Sequence, residues 1–237
     1  RQIAPYICDC SEEIDQEIKK GGHILFEGAQ GTFLDIDHGT YPFVTSSNTV
    51  SGGACTGGGI GPSKIDAVAG VVKAYTTRVG EGPFPTELND EIGDLLSKEG
   101  KEFGATTGRA RRCGWFDACL LKKAVRVNGL THLAVTKLDV MDQLATIEIC
   151  VAYEDEHGTR HSVMPSKQSL QEKLTPVYEK MDGWQCSTSG VTDYGLLPEN
   201  ARKYLKRIEE LLEVPIFIIS TGPKREHTIV LDDIFAA

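Results

Sequence analysis

The sequence has 237 residues, with 25 Lys+Arg against 34 Asp+Glu and a formal net charge of −9. That length buries a sizeable core in one large or two small domains, and the acidic balance argues against general nucleic-acid binding through a basic surface. No apolar run approaches the roughly 20 residues that span a bilayer, so neither membrane nor nucleic acid is an expected partner.

The chain opens Arg1-Gln2-Ile3-Ala4-Pro5-Tyr6, which lacks the apolar core of a secretory leader. A first residue that is not Met suits a fragment or a processed product. The seven cysteines are odd in number and scattered, which predicts reduced thiols and a cytoplasmic location rather than a disulfide framework. Cys8-Asp9-Cys10 has no zinc spacing, so buried structural cysteines are expected there.

His23-Ile24-Leu25-Phe26 reads as a buried strand entering the turn Glu27-Gly28-Ala29-Gln30-Gly31. Residues 35–62 form a long loop dense in Gly, Ser, Thr and Asn, a length usually kept for function. Residues 64–75 read as a helix, or a helix running into a strand. Amphipathic spacing predicts helices over 90–98 and 117–127. Leu133-Ala134-Val135 is a short strand ending at Thr136-Lys137-Leu138-Asp139. Residues 146–153 read as a strand, and Asp155-Glu156-His157-Gly158 as the turn of a hairpin. A helix over 198–212, with Pro at its start, leads into the continuously apolar strand Pro215-Ile216-Phe217-Ile218-Ile219.

This alternation predicts an α/β fold: a mostly parallel sheet flanked by helices, with an antiparallel hairpin insertion at about 145–195 inside one large domain. Ligands of such sheets lie outside the carboxyl ends of the strands. Residues 27–31, 136–139 and 220–223 occupy such places.

A carboxylate accepts two donors side by side, and guanine presents such a pair where adenine does not. Asp139 suits that edge, while the Lys137 stem can lie over a purine. A surface ion pair would use the same tetrapeptide. Ser220-Thr221-Gly222-Pro223 supplies backbone amides, and its Gly permits close approach. Gly104-Ala105-Thr106-Thr107-Gly108-Arg109-Ala110-Arg111-Arg112 offers hydroxyls and guanidiniums for a dicarboxylate or phosphate, although a solvated charge run would look the same. Gln30 can read the edge of a neutral base, and Thr45 belongs to a run of hydroxyls able to hold a phosphate. Asp35-Ile36-Asp37-His38 superficially resembles a metal cluster, but local hydrogen bonding is the expected role. No Gly-x-x-x-x-Gly-Lys-Ser/Thr loop and no Gly-x-Gly-x-x-Gly fingerprint occurs.

Phe26-Glu27-Gly28-Ala29-Gln30-Gly31-Thr32, Asp35-Ile36-Asp37-His38-Gly39-Thr40-Tyr41-Pro42, Val44-Thr45-Ser46-Ser47-Asn48-Thr49, Thr77-Arg78-Val79-Gly80, Gly82-Pro83-Phe84-Pro85-Thr86-Glu87, the loop at 104–109, and the segments 136–139 and 218–223 follow one another in order. Together they resemble the adenylosuccinate synthetase family through nearly the whole chain. The resemblance implies a P-loop-NTPase-like sheet and a ligase of AMP biosynthesis that joins L-aspartate to IMP and converts GTP to GDP and phosphate with Mg2+. GTP first phosphorylates the hypoxanthine oxygen, and the aspartate amine then displaces that phosphate. By the same resemblance Gln30, Thr45, Val79 and Arg109 belong to the IMP site, Gln30 as its catalytic glutamine. Ala105, Thr106, Thr107, Gly108, Arg109, Ala110 and Arg111 form the aspartate loop. Arg111, Lys137, Leu138, Asp139, Ser220, Thr221 and Gly222 contact GTP.

The family's Gly-Asp-Glu-Gly-Lys-Gly-Lys phosphate loop, with its catalytic Asp, and the catalytic His that follows are not in this sequence. No metal ligand is therefore expected in these 237 residues, and the chain alone is expected to lack synthetase activity. The resemblance also implies a homodimer whose sites borrow a partner arginine, found in no segment identified here. Two other readings stay open: a GTP-binding switch, which would hydrolyse GTP without IMP or aspartate, and a non-catalytic binding or oligomerisation fragment.

Overall fold

The computed structural model describes residues 2–104 and 108–235. Helix α1 (Cys10–Lys19) starts where the Asp9 carboxylate accepts a hydrogen bond from the Glu12 backbone N–H, 3.2 Å. Such a cap satisfies one of the donors a helix start leaves free and contributes about 1 kcal/mol. The short α2 (Gly52–Gly58) stops at Gly59, whose φ of 71° suits a residue without a β-carbon. Strands β1 (Ala69–Lys73) and β2 (Thr76–Arg78) follow. Helix α3 (Glu91–Glu99) is capped by Asp90, which accepts from Ile92 and Gly93. After β3 (Arg112–Gly114) and β4 (Phe116–Asp117), Asp117 caps α4 (Ala118–Asn128) through the Leu120 N–H.

Strand β5 (His132–Thr136) runs beside β1, parallel. Next come β6 (Thr146–Glu154), β7 (Arg160–His161), the one-turn α5 (Gln168–Gln171) and β8 (Thr175–Asp182). Helix α6 (Glu199–Leu212) leads into β9 (Ile216–Ser220), and β10 (Thr228–Val230) closes the series.

The main sheet has the order β1-β5-β9-β10, the first three strands parallel and β10 antiparallel. Leu133, Ala134 and Val135 are all buried, as expected of a strand covered on both faces. A second sheet carries β4 parallel to β6, with β7 and β8 antiparallel to β6. Strands β2 and β3 pair separately. A main apolar core holds these layers, and a smaller one gathers Cys119, Cys150, Tyr153, Met164 and Leu174. Tyr204, Leu205, Ile208 and Leu212 of α6 pack with Leu133, Val135, Ile216 and Ile219 of the sheet. The Tyr204 hydroxyl donates to the Ala74 carbonyl at 2.6 Å, pinning α6 to the end of β1.

The α/β class matches the sequence expectation: two of the three pairings in the main sheet are parallel, and β6 pairs antiparallel with β7 and β8 within residues 146–182. Residues 23–26 are not a sheet strand. They alternate between exposed and half-buried, and Leu25 is 77% exposed. Phe26 instead lies in the notch at Gly58, beside Ile14 of α1, so packing on helices replaces a ladder. Residues 64–75 hold no α-helix beyond a 3-10 turn (Pro62–Lys64) before β1. The hairpin at 155–158 forms, but the long partner of β6 is β8. All seven cysteines are free, and Cys8 and Cys10 are exposed rather than buried.

Candidate functional site

The register of the main sheet brings two of the candidate ligand loops side by side. Val135 pairs with Ile219, so β5 and β9 end together and deliver residues 136–139 and 220–222 to one edge, roughly one strand spacing (~4.8 Å) apart. Lys137 has a φ of 61° and starts a 3-10 turn (Leu138–Met141), with Leu138 fully buried. The buried Leu anchors the turn and leaves Lys137 and Asp139 half-buried around it. Burial pushes the Asp139 carboxyl above its ordinary pKa, and Asp142 adds to the rise. The Asp139 backbone N–H, Lys137 and His227 oppose it.

Residues 184–191 tie the two loops together. Trp184 Nε1, the Thr188 N–H and the Thr188 hydroxyl each donate to the Asp142 carboxylate at 2.8 Å. The Thr221 hydroxyl donates to the Val191 carbonyl at 2.8 Å, and the Gly190 N–H to the Thr221 carbonyl at 3.2 Å. Gly222 faces the His227 ring so closely that a β-carbon would sit 2.4 Å from Nδ1. The glycine is required by that contact.

The basic loop splits in two. Phe103 and Ala110 form an antiparallel bridge, and the Gly104 N–H donates to the Arg109 carbonyl at 2.8 Å, so the loop leaves and returns along one track. Ala105, Thr106 and Thr107 lie outside the described residues. Arg112 has a structural task. Its guanidinium holds both Glu87 oxygens and also donates to the carbonyls of Gly80, 3.2 Å, and Gly82, 3.0 Å. Arg111 points instead to Glu102.

Glu102 escaped the sequence reading. Its side chain is 0% exposed and collects four partners. Lys73 Nζ donates to its two oxygens at 2.9 and 2.7 Å, the Tyr75 hydroxyl at 2.5 Å, and Arg111 Nη1 at 2.9 Å. Lys137 Nζ stands 3.2 Å away and also donates to the Gly100 carbonyl. Burial alone would raise this carboxyl, but the donors from Lys73, Tyr75 and Arg111 win and hold it near 2. Burial lowers the Lys73 ammonium, partly offset by Glu102.

The candidate base-binding residues also come together. Gln30, with a φ of 69°, donates from Nε2 to the Thr45 hydroxyl at 3.0 Å, and the Ser47 hydroxyl donates to Gln30 Oε1 at 3.3 Å. Asp35, fully buried, organises this loop by accepting from the N–H groups of Asp37, His38, Thr49 and Val50. Burial acts to raise its pKa, yet those four donors carry it below the ordinary value. The expected local role of Asp35-Ile36-Asp37-His38 is thereby met. The Arg78 guanidinium donates to the Thr40 hydroxyl at 2.9 Å and the Phe43 carbonyl at 3.3 Å, which ties the loop to Val79. The Arg109 guanidinium lies near Gly80, 3.9 Å from where a β-carbon would stand.

Among the described residues, one group places metal-ligating atoms within 4.8 Å of one another: Asp117, Cys119 and Cys150, all buried. Both Asp117 oxygens are engaged, by the Leu120 N–H and by the Tyr153 hydroxyl. Two thiols and an occupied carboxylate do not fit Mg2+, which takes oxygen ligands in an octahedron.

Comparison with known proteins adds the wider context. A family model described as adenylosuccinate synthetase matches residues 1–229. The adenylosuccinate synthetase of Neisseria meningitidis serogroup B is 57% identical over 235 residues, covering 99% of this chain and 54% of that protein. The corresponding protein of Desulfatibacillum aliphaticivorans is 56% identical, covering 100% of this chain and 55% of that one. The solved structure of fully ligated adenylosuccinate synthetase from Plasmodium falciparum superposes with a TM-score of 0.93 at 42% identity, over 96% of this chain and 55% of that chain. The chain thus spans about half the length of the relatives it matches.

Proposed function

The chain belongs to the adenylosuccinate synthetase family, and from that premise we propose that it supplies the guanine pocket, the aspartate loop and part of the IMP site of a GTP-dependent ligase. That ligase joins L-aspartate to IMP, giving adenylosuccinate, GDP and phosphate. The observation carrying this reading is the register of β5 on β9, which sets residues 136–139 against 220–222 at one sheet edge.

Each residue then has a physical task. The Asp139 carboxylate accepts the ring N–H and the amine of guanine, the Lys137 stem covers the purine face, and Leu138 anchors the turn. Ser220, Thr221 and Gly222 form the opposite wall, where backbone groups face the base oxygen. Arg109 and Arg111 bind the aspartate carboxylates through paired N–H donors, with residues 105–108 and Ala110 closing the loop. Gln30 meets the hypoxanthine edge, Thr45 the IMP phosphate, and Val79 the ribose by its backbone. Preorganised donors of this kind stabilise charge that develops on the base oxygen. When bound, Mg2+ would neutralise charge on the triphosphate, and Asp117, Cys119 and Cys150 are not its ligands. The working enzyme is a cytoplasmic homodimer, and this chain alone does not catalyse ligation.

Calorimetric titration of the chain with GDP, IMP and L-aspartate tests the reading. Binding of GDP in preference to ADP is expected, without adenylosuccinate formation in a coupled assay. Adenylosuccinate formation by the pure chain would overturn the inactivity. GTP hydrolysis without IMP or aspartate would favour a switch-like GTPase instead.

A further inference from the structure

Glu102 sits where the two ligand loops meet, and the charges there do not balance. One carboxylate faces three cations, Lys73, Arg111 and Lys137, and among the described residues none of the three forms an ion pair with any other acid. The set therefore carries an excess of two positive charges. The cations repel one another, and Arg111 and Lys137 both disfavour the charged form of Lys73. Glu102 is sealed from solvent, while the Arg111 and Lys137 side chains are 31% and 33% exposed and so remain within reach of a ligand.

The partners are unequal. Arg111 holds Oε2 alone, at 2.9 Å, and Lys73 holds the same oxygen at 2.7 Å. When the Arg111 side chain leaves, Lys73 and Tyr75 still satisfy both oxygens, and no buried carboxylate is orphaned. The Arg111 backbone stays, because its N–H donates to the Glu102 carbonyl at 2.8 Å. Lys137 stands furthest out, at 3.2 Å. Removing a neighbouring cation lets it settle closer to the carboxylate.

We propose that Glu102 is a positioning residue linking the two ligand loops: a dicarboxylate bound at Arg109 and Arg111 draws Arg111 off Glu102, and the released carboxylate then holds Lys137 more firmly at the purine wall. The proposal rests on the reading of these segments as an aspartate loop and a guanine pocket. Its consequence is reciprocal linkage between the two ligands.

The test is a titration of the chain with GDP in the absence and presence of saturating succinate, a dicarboxylate without a reactive amine. Succinate is expected to tighten GDP about fivefold, and GDP to tighten succinate by the same factor, at the lower end of common coupling strengths. Glu102→Gln weakens GDP and brings the factor to one. Tyr75→Phe removes a donor to Glu102 but no charge, so it lowers the melting temperature and keeps the factor. A purely structural Glu102 would change stability without changing the linkage. Equal GDP affinity with and without succinate in the unaltered chain overturns the proposal, as does a Glu102→Gln chain that keeps the factor. Absence of any GDP binding to the unaltered chain would remove the guanine reading and the linkage with it, whereas binding without linkage removes the linkage alone. Should Glu102→Gln fail to fold, Lys137→Gln takes its place: weaker GDP binding and a factor of one are expected, and a Lys137→Gln chain that keeps the factor overturns the proposal.

Discussion

Asp139→Asn addresses the proposed guanine pocket at its most informative atom. Leu138 is fully buried and anchors the turn, so the substitution changes the chemistry of the Asp139 tip without releasing the backbone. A carboxylate there accepts two guanine N–H groups, and a hydrogen bond to a charged group contributes roughly 1.5–3 kcal/mol. Asn keeps one acceptor and turns its amide donor towards the second N–H. The loss is one charge-assisted bond, about 2 kcal/mol, plus the weakening of the other to a neutral bond, about 1 kcal/mol. The sum corresponds to about 150-fold in GDP affinity. Xanthosine diphosphate, which presents an acceptor where guanine has its amine, regains what GDP loses. The assay is competition of the two nucleotides for the chain, before and after substitution. An unchanged preference for GDP would remove Asp139 from the pocket. A pH series gives a second check on the same group. Burial raises the Asp139 pKa, so GDP affinity is expected to fall on acidification at a higher pH than for an exposed Asp.

Gly222→Ala puts a methyl group 2.4 Å from His227 Nδ1, so it is expected to lower GDP affinity at least tenfold, which the same titration reads. Glu102 is held near 2 against an ordinary 4.5, a stabilisation of about 3 kcal/mol that is complete above pH 4.5 and lost as pH falls through 2; about 2 kcal/mol of it is gone at pH 3, and that part of the stability difference between pH 7 and pH 3, read by denaturant unfolding, is expected to vanish after Glu102→Gln. Asp117 has the opposite sign. Burial pushes its pKa from 3.8 to about 6, against the donors Tyr153, Leu120 and Cys119, so its contribution is fully present below 3.8 and lost as pH rises through 6. Asp117→Asn, which keeps an acceptor for the cap of α4, should flatten that dependence and gain about 1–2 kcal/mol at pH 8.

Elements with a strong local signal were legible in the sequence. The α3, α4 and α6 spans follow from amphipathic spacing and their starting Asp or Pro residues, and β5 and β9 from short apolar runs. What failed depended on partners distant in sequence. Residues 23–26 have the composition of a strand, but a strand is a relation between two segments, and here Phe26 packs on α1 and α2 instead of entering a ladder. The reverse error hid β8, whose Lys180, Glu179 and Asp182 look like solvated surface until the antiparallel register against β6 gives their backbone groups partners.

The site divides along the same line. Gln30, Lys137 and Asp139 stand beside a glycine or just past a strand end, and Thr45 stands in a run of hydroxyls, so each drew attention as a polar residue that calls for an explanation. Arg112 was not separable from Arg109 and Arg111, because three guanidiniums in one run carry no mark of direction. The alternation of the bridge and of β3 sends Arg112 to Glu87 and Arg111 to Glu102. Glu102 itself lies in Lys101-Glu102-Phe103, an unremarked stretch after a helix end. Its partners are 29, 27, 9 and 35 positions away. An acidic residue between a Lys and a Phe reads as surface, and only the ends of β1 and β5, brought together by the pairing of Lys73 with Thr136, turn it into a buried counter-ion. A carboxylate that costs several kcal/mol to desolvate stays buried only where donors already wait for it. Lys73, Tyr75, Arg111 and Lys137 are therefore the condition for its position, and two of them, Arg111 and Lys137, stand on the loops proposed to meet the ligands.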